Sequence, residues 1–185
     1  MHADQIVPIK YSLATHLLKV VVALYLLLTV ILTSIHLYTE FSRTKARVMQ
    51  ELQVIQETFA PGLAKALWDM NLEQLQPTFL GIVHYPTVIG VKLLNEQGAE
   101  VGAAGIVTDE QGEAVQVNPE GKKGPVKGYS GIFSSTAPIL HSRKGKQLTM
   151  GKVIIYSSTG IVFEMLKPGF MLIMLTTLIK IVAVW

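Results

Sequence analysis

Five histidines are the first place to look for metal or acid–base chemistry in this 185-residue chain: His2, His16, His36, His84 and His141. No two of them stand at ligand spacing on a shared element, and His16 and His36 flank an apolar run. The chain has no cysteine. That removes thiolate metal sites, disulfides and a cysteine nucleophile, and leaves the compartment open. Glu96, Glu100, Asp109, Glu110 and Glu113 form an acidic run over a turn and a loop, without the spacing of an EF-hand. No phosphate-binding loop, G-x-G-x-x-G, G-x-S-x-G or H-E-x-x-H is present. The residues nominate no catalytic group, no metal site and no cofactor. The net charge of +3 is spread over many positions, unlike the dense basic stripe of a nucleic-acid reader, so no nucleic-acid partner is expected.

The elements around these residues say more. Two apolar runs, Val20–Leu37 and Pro168–Trp185, each have 18 residues and stand about 130 residues apart. As a helix, 18 residues rise roughly 27 Å, close to the hydrocarbon thickness of a bilayer. The first run is too long for the apolar core of a signal peptide, and Tyr38-Thr39-Glu40-Phe41 offers no small-residue cleavage pattern. The expected organisation is a short segment over 1–16, a transmembrane helix over 17–37, a body over 38–167 and a second transmembrane helix over 168–185. The lipid bilayer is then a partner, with Lys19, Lys180 and Trp185 as interfacial anchors. Lys10, Lys19 and the amino terminus before the first run balance Arg43, Lys45 and Arg47 after it, so charge alone gives no orientation.

Within the body, Phe41, Val48, Leu52, Ile55, Phe59, Leu63 and Leu67 recur at spacings of 7, 4, 3, 4, 4 and 4, one helical stripe. Two partners suit such a stripe: the sheet of its own domain, or the same helix of a second subunit. Subunit contact is expected toward the membrane, over Phe41, Val48, Leu52, Ile55 and Phe59. Pro61-Gly62 should interrupt or bend the helix. A break at Asp69-Met70-Asn71, with Asn71 and Gln74 at capping-box spacing, introduces another helix to Val83, kinked at Pro77. From Thr87 the period becomes two. Strands are expected near 87–94 and 100–107, joined by the turn Asn95-Glu96-Gln97-Gly98. Two more are expected over 132–140 and 148–156. The stretch 108–129, rich in glycine, proline and lysine, reads as a loop containing a short strand at 113–117, or as a flap over a pocket. Ser157, Ser158 and Thr159 suit the cap of a helix leading into the second run. The expected class is α+β: a small antiparallel sheet with long N-terminal helices on one side.

Ala64–Pro86 (AKALWDMNLEQLQPTFLGIVHYP), followed by TVIGVKLLNEQG and later MGKVIIYSS, resembles the PAS-like, single-Cache type of extracytoplasmic sensor domain. Such domains occur in bacterial sensor histidine kinases, diguanylate cyclases and nucleotide cyclases. The resemblance covers roughly Phe41 to the second run, and departs from the pattern at Asn95, where aspartate is usual. It implies a periplasmic domain on the bacterial inner membrane, a homodimer, and a cytoplasmic output module after the second span. It also implies a small ligand held between the sheet and a covering loop, near Trp68, Tyr85, Lys92, Tyr129 and Arg143, with Lys92 and Arg143 suited to a carboxylate. For Trp68 itself, core packing is favoured over ligand contact. The alternative function is a two-span tethered scaffold that binds a partner protein without a pocket.

Overall fold

The computed structural model describes residues 9–118, 121–126, 131–143 and 146–184. The chain divides into two compact units, Met1–Glu40 and Phe41–Trp185.

In the first unit the chain is helical from Ile9, within one helix, α1 (Ile9–Trp68), of 60 residues. The span expected over 17–37 is part of a longer helix that runs on into the stripe from Phe41, as expected of a helix that does not stop at Leu37, and the polar lead expected over 1–16 is already helical from Ile9. The physical reason is the absence of any stop signal between Leu37 and Phe59, where no glycine or proline occurs. None of the residues from Thr15 to Tyr38 is buried. Leu17, Val21, Leu24, Leu27, Leu28 and Ile31 all stand exposed, on every side of the helix. A helix apolar all round suits either burial against other protein or a membrane span. Thr29, Ser34 and Thr39 return their hydroxyls to carbonyls four residues back, which satisfies them without water.

In the second unit, α1 continues from Phe41 to Trp68 and carries Pro61 within it. The expected interruption is not made. A proline removes one intrahelical hydrogen bond, and the flanking Leu63, Ala64 and Ala66 are buried and hold the helix in place. The helix ends in a Schellman arrangement. Asn71 N–H donates to Ala66 O at 3.0 Å and Met70 N–H to Leu67 O at 3.3 Å, with Met70 at φ 51°. A side chain in that conformation costs about 1 kcal/mol, so Met70→Gly is expected to stabilise the domain by up to about 1 kcal/mol. A rise in the denaturant midpoint at unchanged slope checks this. After a 3-10 turn (Leu72–Gln74) comes α2 (Leu75–Val83), whose N-cap is Gln74 with no side-chain capping bond, so the Asn71 box does not form. Pro77 is the third residue of α2. In the first turn its missing N–H costs no helical bond, so the position that should have kinked the helix is an ordinary one for proline.

Among the described residues six strands follow: β1 (Gly90–Asn95), β2 (Glu100–Thr108), β3 (Ala114–Val117), β4 (Lys123–Pro125), β5 (Ile132–Arg143) and β6 (Lys146–Ser158). They form one antiparallel sheet in the order β4-β3-β2-β1-β6-β5. The class is α+β as expected; β3 falls on the short strand expected at 113–117, and β4 is a further strand in the segment expected as loop. The turn at Asn95 forms as read, with Asn95 Oδ1 accepting from Ala99 N–H at 2.8 Å. Pro138 lies on the edge strand β5, beside the register shift at Ile139/Leu140.

One face of the sheet carries the main core. Val91, Leu93, Ile139, Val153 and Ile155 meet Val48, Leu52, Ile55 and Leu63 of α1, and Leu75, Phe79 and Ile82 of α2. The helical stripe is thus taken up by the chain's own domain. Val48, Leu52 and Ile55 are buried there, and Phe41 and Phe59 pack at its margin. Of the two possible partners the sheet has these side chains, and a subunit contact through Val48, Leu52 and Ile55 is corrected accordingly. Gln56 pins the helix to the strands: its Nε2 donates to Ser135 O at 2.6 Å, and Ser135 Oγ donates to Gln56 Oε1 at 3.0 Å.

The last helix, α3 (Thr159–Val184), begins on the residue after β6 and carries Pro168 within it. It starts nine residues before the expected span, because Ser158 to Lys167 contains no breaker apart from Gly160. Val162 joins the main core, and Phe163 packs on Phe41 with ring centroids 5.3 Å apart. Beyond this the exposed large apolar side chains among the described residues include Phe170, Met171, Leu172, Met174, Leu175, Leu178 and Ile179. Two helices, α1 and α3, are therefore long and apolar enough to cross a membrane.

Candidate functional site

Strand geometry sends alternate side chains to opposite faces. Val91 and Leu93 enter the main core, so Lys92 between them faces the other way. Its register neighbours are Ala103 on β2 and Ile154 on β6. Both belong to a second apolar cluster with Val107, Val117 and Tyr156, edged by Ile89, Val115 and Ile132. This second face is covered by the sheet itself. Lys92 Nζ donates to Thr108 O at 2.9 Å and stands 3.5 Å from Glu100 Oε2. Glu100 and Thr108 are the two ends of β2. A straight strand of that length spans roughly 26 Å, so one ammonium reaches both ends only because β2 folds back. The fold falls at Gly105, at φ 77°, where β2 leaves β1 and takes β3 as its partner. A Cβ there would lie 2.3 Å from Ile89 O. Only glycine allows that approach with that φ.

The β3–β4 hairpin is tied back by a second ion pair, Lys123 Nζ to Glu100 Oε2 at 2.8 Å. Two ammonium groups thus share one carboxylate oxygen. Lys92 is the more enclosed, with its side chain 11% exposed against 47% for Lys123. Beside this cluster lies a cavity of about 310 Å³, between α2 and the hairpin. Glu100 forms part of its wall, with Leu75, Phe79, Gly102 and Val117 among the apolar remainder. Gly102 gives α2 its seat: a Cβ there would meet the Phe79 ring at 2.7 Å. The small residues of β2 thus serve a neighbouring side chain at Gly102 and a neighbouring backbone at Gly105.

Of the ligand-contact residues expected by resemblance, the described side chains of Trp68, Tyr85 and Lys92 stand in different places. Lys92 is on the hairpin-covered face. Trp68, at the end of α1, is exposed and stacks on His141 of β5, with centroids 4.7 Å apart and planes 12° apart. Its expected core role is corrected: the helix ends before the ring can reach the core, and the ring lies over the sheet edge. Tyr85 meets the Phe59 ring edge-on at 6.2 Å, on the helical side. Arg143 closes β5 opposite Lys146. Tyr129 and Trp185 lie outside the described residues, as does the side chain of Lys180. Lys19 is exposed on α1. Among the described residues no group of three or more His, Asp or Glu is placed to hold a metal. Asp109 instead accepts from the N–H groups of Gln111 and Glu113.

In the sequence Glu100 stands out only as a member of an acidic run, and Lys123 only as part of a lysine-rich stretch. Their pairing joins residues 23 apart through the fold of β2, and no local pattern carries it. No protein-family model matches this chain, and neither does any curated protein or solved structure.

Proposed function

We propose that this chain is a membrane-anchored sensor: its body takes a small molecule and passes a change of shape to two apolar helices. The observation that supports it best is the junction of sheet and helix. β6 pairs with β1 in the middle of the sheet, ends at Ser158, and is followed at Thr159 by α3 with no linker. Thr159 N–H donates to Gly131 O at 3.0 Å, which ties the helix start to the start of β5. A shift in β6 therefore moves α3 rather than being lost in a loop. The ring contact of Phe41 with Phe163 links α1 and α3 at the same end of the domain.

On this reading the domain lies outside the cytoplasm, in the manner of the PAS-like sensors it resembles, on a bacterial inner membrane, and drives an output module beyond α3. The homodimer that belongs to such a receptor uses the exposed face of α1 that carries Arg47, Gln50, Val54 and Thr58, since the apolar stripe is already taken. A ligand shifts such a system only by its differential affinity for two arrangements, typically a few kcal/mol. The test is a thermal-shift screen of the full chain in nanodiscs, followed by distance measurement between spin labels at Arg43 and Lys167. A small molecule that raises the melting temperature is expected also to shift the label distance. Stabilisation with an unchanged distance would contradict transmission. Stabilisation only by a partner protein would favour the tethered scaffold.

A further inference from the structure

We infer that the end of the body where α1 and α3 meet is a binding surface for anionic phospholipid headgroups, built from Arg43 and Arg47 on α1 and Lys167 on α3. The first observation is a one-sided run of charge. Over residues 41–50 of α1 stand Arg43, Lys45 and Arg47, and no acidic residue. Lys45 is already engaged: it is half-buried, with Nζ 5.1 Å from the centre of the Phe133 ring. Arg43 and Arg47 are exposed, and neither forms an ion pair among the described residues. Their planar forks of donors are left for an external anion, and phosphate fits such a fork in bidentate fashion.

The second observation is where these residues stand. Phe41 of α1 meets Phe163 of α3 with ring centroids 5.3 Å apart, which sets one level on the two helices. Arg43 lies roughly 3 Å past Phe41 along α1, and Lys167 roughly 6 Å past Phe163 along α3. Lys167 is the last residue before Pro168, and the exposed side chains Phe170, Met171 and Leu172 beyond it are apolar. The two cations therefore bracket a band of roughly 9 Å. A headgroup layer is about 5–7 Å deep, and the long stems of Arg and Lys close the difference. Lys167 Nζ is held by Glu164 Oε1 at 2.7 Å, but both side chains are largely exposed. An ion pair so open to water is weak, so a phosphate can take Lys167 over. Around this end Arg43, Lys45, Arg47 and Lys167 stand against the single carboxylate of Glu164. A phosphatidylcholine headgroup brings its own ammonium and neutralises nothing, whereas phosphatidylglycerol brings one net negative charge. Arg47 also borders the face of α1 assigned above to a second copy. Pairing two copies there gathers like charges, and a phosphate between them offsets that repulsion.

This rests on the membrane-anchored part of the sensor reading and adds the class of lipid. The test is electron spin resonance of chain-labelled phosphatidylglycerol and phosphatidylcholine, with the full chain in phosphatidylcholine bilayers. The ratio of their association constants is the readout. A basic residue beside an anionic lipid is worth roughly fivefold in affinity, so the natural chain is expected to favour phosphatidylglycerol by roughly threefold or more at low salt. Molar salt should bring the ratio close to one. Arg43→Gln combined with Arg47→Gln is expected to lower the ratio by roughly half or more, and Glu164→Gln, which releases Lys167, to raise it. Lys152→Gln is the control, an exposed lysine on β6 paired in register with Leu94 and distant from the α3 junction; it should leave the ratio unchanged. A ratio that the double arginine variant does not lower would overturn the site, since any preference would then come from elsewhere, such as Lys19. An equal fall in Lys152→Gln would overturn it too, as a general effect of charge. Motionally restricted lipid with a ratio near one in the natural chain would overturn the site and leave the anchoring standing. No motionally restricted lipid at all would overturn both.

Discussion

Replacing Gly105 with alanine is expected to destabilise the domain by about 3 kcal/mol or more, from a left-handed backbone penalty of about 1–2 kcal/mol and a steric term of similar size. The steric term has a definite source: a Cβ at Gly105 would lie 2.3 Å from Ile89 O and 3.0 Å from Gly90 Cα. Both are backbone atoms in the start of the central hairpin, so neither can step aside as a flexible side chain would. Gly112 is the control. Its φ is 83° but nothing lies within 4 Å of its would-be Cβ, so Gly112→Ala should cost only the conformational share, about 1–2 kcal/mol. The difference between the two variants isolates the close approach that lets β2 fold back over Lys92. Chemical unfolding of the full chain in detergent measures both, and equal losses would mean that β2 does not turn at Gly105.

Gln56→Leu is the second large effect, about 2–4 kcal/mol, because it strands buried polar partners rather than merely removing contacts. Gln56 is buried, and its amide serves Ser135 twice: it donates to the carbonyl at 2.6 Å and accepts from the hydroxyl at 3.0 Å. Ser135 is itself buried on β5. Water cannot readily replace the lost partner there. The double variant Gln56→Leu with Ser135→Ala is expected to recover part of the loss, since it removes the orphaned hydroxyl as well. A denaturant midpoint lower in the single variant than in the double one is the expected result. If the double variant is the weaker, the two side chains are not coupled.

The elements that the sequence makes legible are those whose signal is local and periodic. The stripe from Phe41 to Leu67 reads as helix because its spacing is helical, and the turn at Asn95 reads as a turn because its residues demand one. The β5–β6 hairpin is visible in its alternation. What is hidden depends on residues far apart. β4, Lys123-Gly124-Pro125, has no strand character of its own and exists because β3 pairs with it. The stacking of Trp68 on His141 joins residues 73 apart, and a tryptophan at a helix end looks like core until the sheet edge beneath it is known. Lys92 could be singled out as a strand lysine, but its two partners could not, because the fold at Gly105 that gathers them leaves no periodic trace. The helix ends differ for another reason. Pro61 and Pro168 are breakers by propensity, yet both sit inside helices, where packing on one side and an all-apolar sequence on the other outweigh one lost hydrogen bond.

On the sensor reading proposed above, both apolar helices lie in lipid and the body is reached from one side of it. The chain has no cysteine, so single cysteines can be placed one at a time from Thr15 to Arg47 and from Thr159 to Val184 in sealed vesicles and probed with an impermeant maleimide. Two protected windows of roughly 20 residues each are expected, with the body-side sites at Phe41–Arg47 and Thr159–Lys167 reacting from the same side. Labelling throughout Val20–Leu37, or body sites that react from both sides of the vesicle, would contradict it.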